Sequence, residues 1–241
     1  MTTKTIFLDR DGVINKEVGY LHKIQDFEFI DGVFEACLYF QSLNYQIIIV
    51  TNQSGICRGY YDEDTFHVVN NWMLNQFKDQ GVNILGVFFC PHAPESRCDC
   101  RKPKPGMFNQ ANDKYSIDMK KSWMIGDKEA DIQAANAAGI QNTVLVKSGH
   151  EIDENNSNAK FILDSIKQVS TVIKTKDYYI LYTTWQNSPH LVLRSCSACS
   201  QTALLNHLHR RKYLAHHQVA GAVVLFLLSC LMRFLMPQCN P

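Results

Sequence analysis

Two kinds of apolar pattern alternate along the chain. The runs TIFLD, YQIIIVTN, GVFFCP, WMIGD and TVLVKS carry β-branched and aromatic residues, and stretches such as Ile47 to Val50 show no polar face. Between them lie segments of helical period, from Gly32 to Leu43, from Asp62 to Gln80, from about Gly106, and from Lys128 to Ala138. Strands without a polar face suit a parallel sheet covered by helices on both sides. In the first helix Val33, Ala36, Cys37, Phe40 and Leu43 share one face, as a helix lying on a sheet requires. The pattern predicts a doubly wound α/β domain over residues 1–176, with no helical insertion large enough to form a cap.

In such a sheet ligands bind beyond the carboxyl ends of the strands, so the residues that follow each apolar run carry the candidate chemistry. They are Asp9, Thr51 and Asn52, a Cys/His loop leading to Arg101 and Lys102, and Asp127. Asp9 and Asp11 stand two apart with Gly12 behind them, a spacing in which one carboxylate can attack while the other moves protons. Two carboxylates repel a phosphate dianion, so the site calls for a cation. Asp9, the Asp11 backbone carbonyl and Asp127 offer the oxygen ligands that Mg²⁺ prefers. Asp131, four residues on, suits either the metal's surroundings or the positive end of its helix. Thr51 and Asn52 supply a hydroxyl and an amide, or equally a capped turn. Lys102 offers a point charge, Arg101 a planar fork and Lys128 a third cation.

Cys90, His92, Cys98 and Cys100 fall within eleven residues and make a closed tetrahedral zinc set with a structural role. Nine cysteines, an odd number, with three of them in that cluster, point to a reducing cytosol rather than to a disulfide framework. The N-terminus enters a strand directly and shows no secretory signal, so a cytoplasmic protein is expected.

Charge divides the chain. Residues 1–176 hold 19 Lys and Arg against 22 Asp and Glu, whereas 177–241 hold five against one. A mildly acidic front part excludes bulk binding of nucleic acid and leaves an anionic small molecule held by a few placed cations. Residues 177–241 read as an unrelated appendage, with five of the nine histidines and an apolar stretch at 219–236 that is marginal for a membrane span. A tether, a packed helix and a non-functional extension remain open for it. Cys196, Cys199, His207 and His209 form a weak second zinc pattern there.

Four motifs, D-R-D-G-V, V-T-N-Q, R-K-P-K-P-G and G-D-K-E-A-D, resemble in order and placement the haloacid-dehalogenase phosphatase superfamily. The insert C-P-H…C-D-C-R-K-P narrows the resemblance to its zinc-bearing subgroup of heptose bisphosphate and histidinol-phosphate phosphatases. The stretches E-V-G-Y-L-H-K and T-N-Q-S-G-I-C-R-G are similar to the heptose bisphosphatases. That resemblance implies Asp9 as nucleophile, Asp11 as proton donor, and Asp9, Asp11 and Asp127 as the magnesium set. It implies that Thr51 and Lys102 steady the transferring phosphoryl group. Glu17, Val18, Gly19, Tyr20, Asn52, Gln53, Ser54, Arg101 and Lys128 would hold a sugar bisphosphate, in a monomer that feeds lipopolysaccharide heptose synthesis. The five-residue spacing between His92 and Cys98 resembles the histidinol-phosphate enzymes instead. A non-catalytic, membrane-tethered zinc module is the reading from another class.

Overall fold

The computed structural model describes residues 2–174. Six strands form one parallel sheet: β1 (Thr5–Leu8), β2 (Gln46–Asn52), β3 (Ile84–Cys90), β4 (Trp123–Gly126), β5 (Asn142–Val146) and β6 (Phe161–Leu163). Their order is β3-β2-β1-β4-β5-β6. The chain therefore winds outward from β1, returns to its other side at β4, and winds outward again. The reversal point falls at β1, where a crevice opens between neighbouring strand ends.

Register decides what meets there. Leu8 lies beside Ile49 on β2 and Ile125 on β4. Asp9 extends β1 by donating its N–H to the Ile125 carbonyl at 3.0 Å. Thr51 and Asp127 stand one residue further along the two flanking strands, so all three arrive at one edge of the sheet.

Alternation along each strand feeds two cores. Ile6, Leu8, Ile47 and Ile49 pack with Val33, Phe40, Met73 and Phe77 of α1 (Val33–Ser42) and α3 (Glu63–Asp79). Phe7, Ile48 and Val50 face the other way, toward Met107, Phe108 and Ala134 of α4 (Gly106–Tyr115) and α5 (Glu129–Ala137). The helical face expected for α1 is buried at all five positions. Asp62 caps α3 by accepting the Thr65 N–H at 2.8 Å, which ends the preceding loop one residue before the helical pattern begins. The doubly wound α/β fold is thus the observed one, and among the described residues no large helical insertion interrupts it.

Two short elements differ from the expectation. The segment after Thr51 makes a four-residue helical turn, α2 (Ser54–Cys57), as well as a bend, and β6 adds a half-buried edge strand of three residues. Each is about one structural period long, too short to leave a periodic trace. Among the described residues no helix is long and apolar enough to cross a membrane. The expectations for 177–241, its apolar stretch and its Cys/His pattern lie outside the described residues.

Candidate active site

The strand ends meet in a buried cluster of three carboxylates and one ammonium. Lys102 Nζ sits 2.9 Å from Asp9 Oδ1, 2.6 Å from Asp131 Oδ1 and 2.8 Å from the Val50 carbonyl it donates to. Its side chain is 1% exposed. Burial alone would make this lysine give up its proton, but Asp131 and Asp9 more than offset that and hold it charged. Asp131 Oδ2 also accepts the Lys128 N–H at 3.0 Å, so one side chain both closes the first turn of α5 and pairs with Lys102. Both uses open at the sequence level for Asp131, a place near the cation and a helix-end role, are compatible with this position.

One ammonium does not neutralise the cluster. Ligand oxygens of Asp9, Asp127 and Asp131 all lie within 4.8 Å of one another. Burial, and then the neighbouring Asp9 and Asp131, push the Asp127 carboxyl up to about 9. Burial raises Asp9 to about 7, with Lys102 opposing and Asp131 adding to the rise. Asp127 Oδ1 is buried without a hydrogen-bond partner. Concentrated carboxylate charge with one unpartnered oxygen fits a hard divalent cation such as Mg²⁺.

Asp11 occupies a different environment from Asp9. Its carboxylate accepts hydrogen bonds at 3.0 Å from Arg10 Nη2, Asn15 Nδ2 and Gln53 Nε2. Burial favours its protonation, but Arg10 and the two amides outweigh burial and leave its proton affinity below the usual value. Gln53 is fixed in turn: its amide N–H also reaches Thr51 Oγ1 at 2.8 Å, and its Oε1 accepts from Tyr61 Oη at 2.7 Å. Arg10 is 1% exposed and lies over the Phe66 ring.

The remaining site residues divide by what holds them. Asn52 spends both ends of its amide on the Lys102 backbone, at 3.2 and 3.1 Å, and so ties the end of β2 to the lysine loop. Arg101 Nη1 donates to the His92 carbonyl at 3.1 Å. Glu17 accepts the Gly19 N–H at 2.7 Å and stands 3.8 Å from Lys128 Nζ. Val18 is exposed, Tyr20 packs on Tyr60 with ring centroids 4.4 Å apart, and Ser54 opens α2.

Cys90 ends β3 and His92, Cys98 and Cys100 follow in the loop. The four ligand atoms gather within 4.8 Å. Cys90 Sγ lies 3.8 Å from Cys98 Sγ, 3.1 Å from Cys100 Sγ and 3.5 Å from His92 Nδ1. Cys100 Sγ lies 3.3 Å from the same nitrogen. An ion about 2.3 Å from each sulfur in a tetrahedron sets sulfurs about 3.8 Å apart, the spacing of Cys90 and Cys98; Cys100 stands closer to Cys90, and the fit to zinc rests on the donor set of three thiols and one imidazole. The described cysteines are all free.

Sequence reading missed the segment after β5. Ser148 Oγ donates to the Gly12 carbonyl at 2.6 Å, and His150 Nδ1 lies 2.5 Å from Asp127 Oδ2. Burial and the nearby Lys128 keep this imidazole below its usual proton affinity. Gly12, at φ +85°, and Gly149 both lie so close to the Asp127 carboxylate that a Cβ on either would overlap it. The rule that found the other strand ends, applied to S-G-H behind TVLVK, would have found this one. Arg10, Asn15 and Tyr61 left no comparable signal, since their roles rest on contacts across the fold.

A model of the HAD-hydrolase-like family matches residues 99–169. A D-glycero-alpha-D-manno-heptose-1,7-bisphosphate 7-phosphatase of Photorhabdus laumondii is 50% identical over 163 residues, covering 65% of this chain and 89% of that protein. A D-glycero-beta-D-manno-heptose-1,7-bisphosphate 7-phosphatase of Vibrio cholerae is 48% identical over 177 residues, 70% of this chain and 95% of its own length. Among solved structures, the D,D-heptose 1,7-bisphosphate phosphatase of B. bronchiseptica, complexed with magnesium and phosphate, superposes with a TM-score of 0.62. It shares 28% identity over 70% of this chain and 97% of that one. With such similarity along nearly the whole length of these relatives, the chain belongs to the HAD-like phosphoric monoester hydrolases, in the heptose-bisphosphate phosphatase family.

Proposed function

We propose that this chain removes the 7-phosphate of D-glycero-D-manno-heptose 1,7-bisphosphate through a phosphoryl group carried on Asp9, in the cytoplasmic synthesis of activated heptose for lipopolysaccharide. The observation that carries the reading is Lys102 bridging Asp9 and Asp131 beside the unpartnered oxygen of Asp127. A buried nucleophile, a cation of fixed position and an unpartnered carboxylate oxygen at one sheet edge are what in-line phosphoryl transfer needs. A group used only for binding would gain nothing from carboxylates facing a phosphate.

In this reading Asp9 and Asp127, with the Asp11 backbone carbonyl, would hold Mg²⁺, which when bound would neutralise the phosphoryl oxygens and let an anionic nucleophile approach. One Asp9 oxygen forms a bond to phosphorus as the bond to the sugar oxygen breaks, and Asp11 gives that oxygen its proton. The Asp11 carboxylate then takes a proton from water, whose oxygen attacks the phosphorus, releasing phosphate and restoring Asp9. Arg10 and the amides around Asp11 favour its ionised form, the one required for the second step. A phosphate dianion drawing near acts against Arg10 and raises the proton affinity for the first step. Lys102 and Thr51 steady the phosphoryl oxygens. Glu17 to Tyr20, Asn52 to Ser54, Arg101 and Lys128 surround the sugar and its second phosphate. Asn52 and Gln53 act there partly by holding Lys102 and Asp11.

Steady-state turnover of the two heptose bisphosphate anomers and of histidinol phosphate, measured side by side, tests the substrate. The heptose substrates are expected to give the higher kcat/KM; equal or better hydrolysis of histidinol phosphate would replace the proposal by the histidine-pathway activity. The short loop between His92 and Cys98 speaks for that second reading, and the 43–50% identity to enzymes named for heptose speaks against it.

Zinc in the Cys/His set would act through the loop it closes. Arg101 is held by the His92 carbonyl, and Lys102 follows directly. Removing zinc with a thiol-reactive reagent and a chelator is expected to raise KM about tenfold before kcat falls, because small displacements of positioned charges are costly. Unaltered kinetics in protein shown to be zinc-free would contradict this.

A further inference from the structure

We propose that His150 is a positioning residue for Asp127: it holds one carboxylate oxygen so that the other faces the cation. The inference rests on the reading of Asp127 as a magnesium ligand. The contrast between the two carboxylate oxygens carries it, with the backbone around them. The two oxygens of Asp127 are unequal, for Oδ2 lies 2.5 Å from His150 Nδ1 while Oδ1, equally buried, has no partner. An ionised carboxylate only accepts, so with Asp127 ionised as a metal ligand the contact puts the proton on Nδ1; that bond fixes Oδ2 and leaves Oδ1 turned toward the cation. On the far edge of the imidazole Nε2 stands 3.9 Å from Glu17 Oε2, outside hydrogen-bond reach, and that carboxylate lies 3.8 Å from Lys128 Nζ.

The backbone is shaped for the same contact. Ser148 bonds to the Gly12 carbonyl, and Gly149 and Gly12 approach closely enough that neither could carry a side chain beside the Asp127 carboxylate. The segment after β5 is thereby fastened to the turn that follows Asp9 and Asp11, and His150 is its first residue with a side chain able to reach Asp127. Glu17, in the loop assigned to the sugar, is a neighbour of the same ring.

Mn²⁺ binding to the full zinc-loaded chain, followed by calorimetry and by electron paramagnetic resonance, tests this without reference to turnover. His150→Ala is expected to weaken Mn²⁺ binding ten- to a hundredfold, about the cost of losing such a partner elsewhere. His150→Asn, whose amide places an N–H near the position of Nδ1, is expected to recover most of it. Thermal melts of both variants establish that they fold. Binding within twofold of the parent in His150→Ala overturns the inference, provided Asp127→Asn in the same titration loses the ion. Failure of the Asn variant to recover binding overturns it as well, because the loss would then come from packing rather than from the N–H. If Asp127→Asn itself binds Mn²⁺ normally, the magnesium assignment fails and the inference falls with it.

Discussion

Asp9→Asn is expected to lower kcat by about four orders of magnitude or more while leaving the melting temperature and zinc content near those of the parent. In the proposed reaction the magnitude follows from the loss of the attacking atom itself, since covalent catalysis keeps only what binding and electrostatics supply when its nucleophile is gone. The mild effect on folding follows from the surroundings. Asp9 is 6% exposed and shares a small volume with Asp127 and Asp131, and burial has already raised its proton affinity to about 7. An amide removes one charge from a crowded group and keeps its shape, and Lys102 retains Asp131 at 2.6 Å. Measuring single-turnover rates, a melt and bound zinc on one preparation checks all three parts. Residual turnover above about one part in a thousand of the parent would take the nucleophile's role from Asp9.

Lys102→Met is expected to harm both activity and stability. Its ammonium is the buried cation that touches Asp9 and Asp131, and its removal strands two buried carboxylates, a loss of about 3–5 kcal/mol for a broken buried pair. In a domain of this size that lowers the melting temperature by roughly 10 °C. The rate should fall about a hundred- to a thousandfold from lost charge stabilisation of the phosphoryl oxygens. Lys102→Arg is not expected to restore it, because a planar fork cannot place one nitrogen on Asp9, Asp131 and the Val50 carbonyl together. A melting temperature unchanged within 2 °C, roughly the shift for about 1 kcal/mol, would mean the carboxylates find other partners.

The parts of this site that lay open in the sequence are those that sit next to an element boundary. Asp9, Thr51 and Asp127 each follow an unbroken apolar run, and parallel pairing obliges such positions to share an edge. The Cys/His group was legible because its four side chains are close in sequence, with a spacing that packing alone does not ask for. Contacts between distant segments were not legible. Nothing in T-N-Q-S-G tells that Gln53 spans Asp11 and Tyr61, residues 42 and 8 positions away. Nor does G-D-K-E-A-D show that Asp131 turns back to its own helix end with one oxygen and out to Lys102 with the other. Among the fold elements, α1 and α3 were long enough to print their period, while β6 and α2 were not.

The two glycines pressed against Asp127 bear on how a saturation library of this enzyme would read. Any replacement at position 12 or 149 must displace the carboxylate or the opposite main chain, so nearly every substitution there should score as dead. A heat map of phosphate release would then rank two residues that have no functional group alongside those assigned to the proposed proton and phosphoryl transfers. Intolerance at these sites measures how little room surrounds an acid, and a ranking by fitness alone would assign them chemistry they cannot perform.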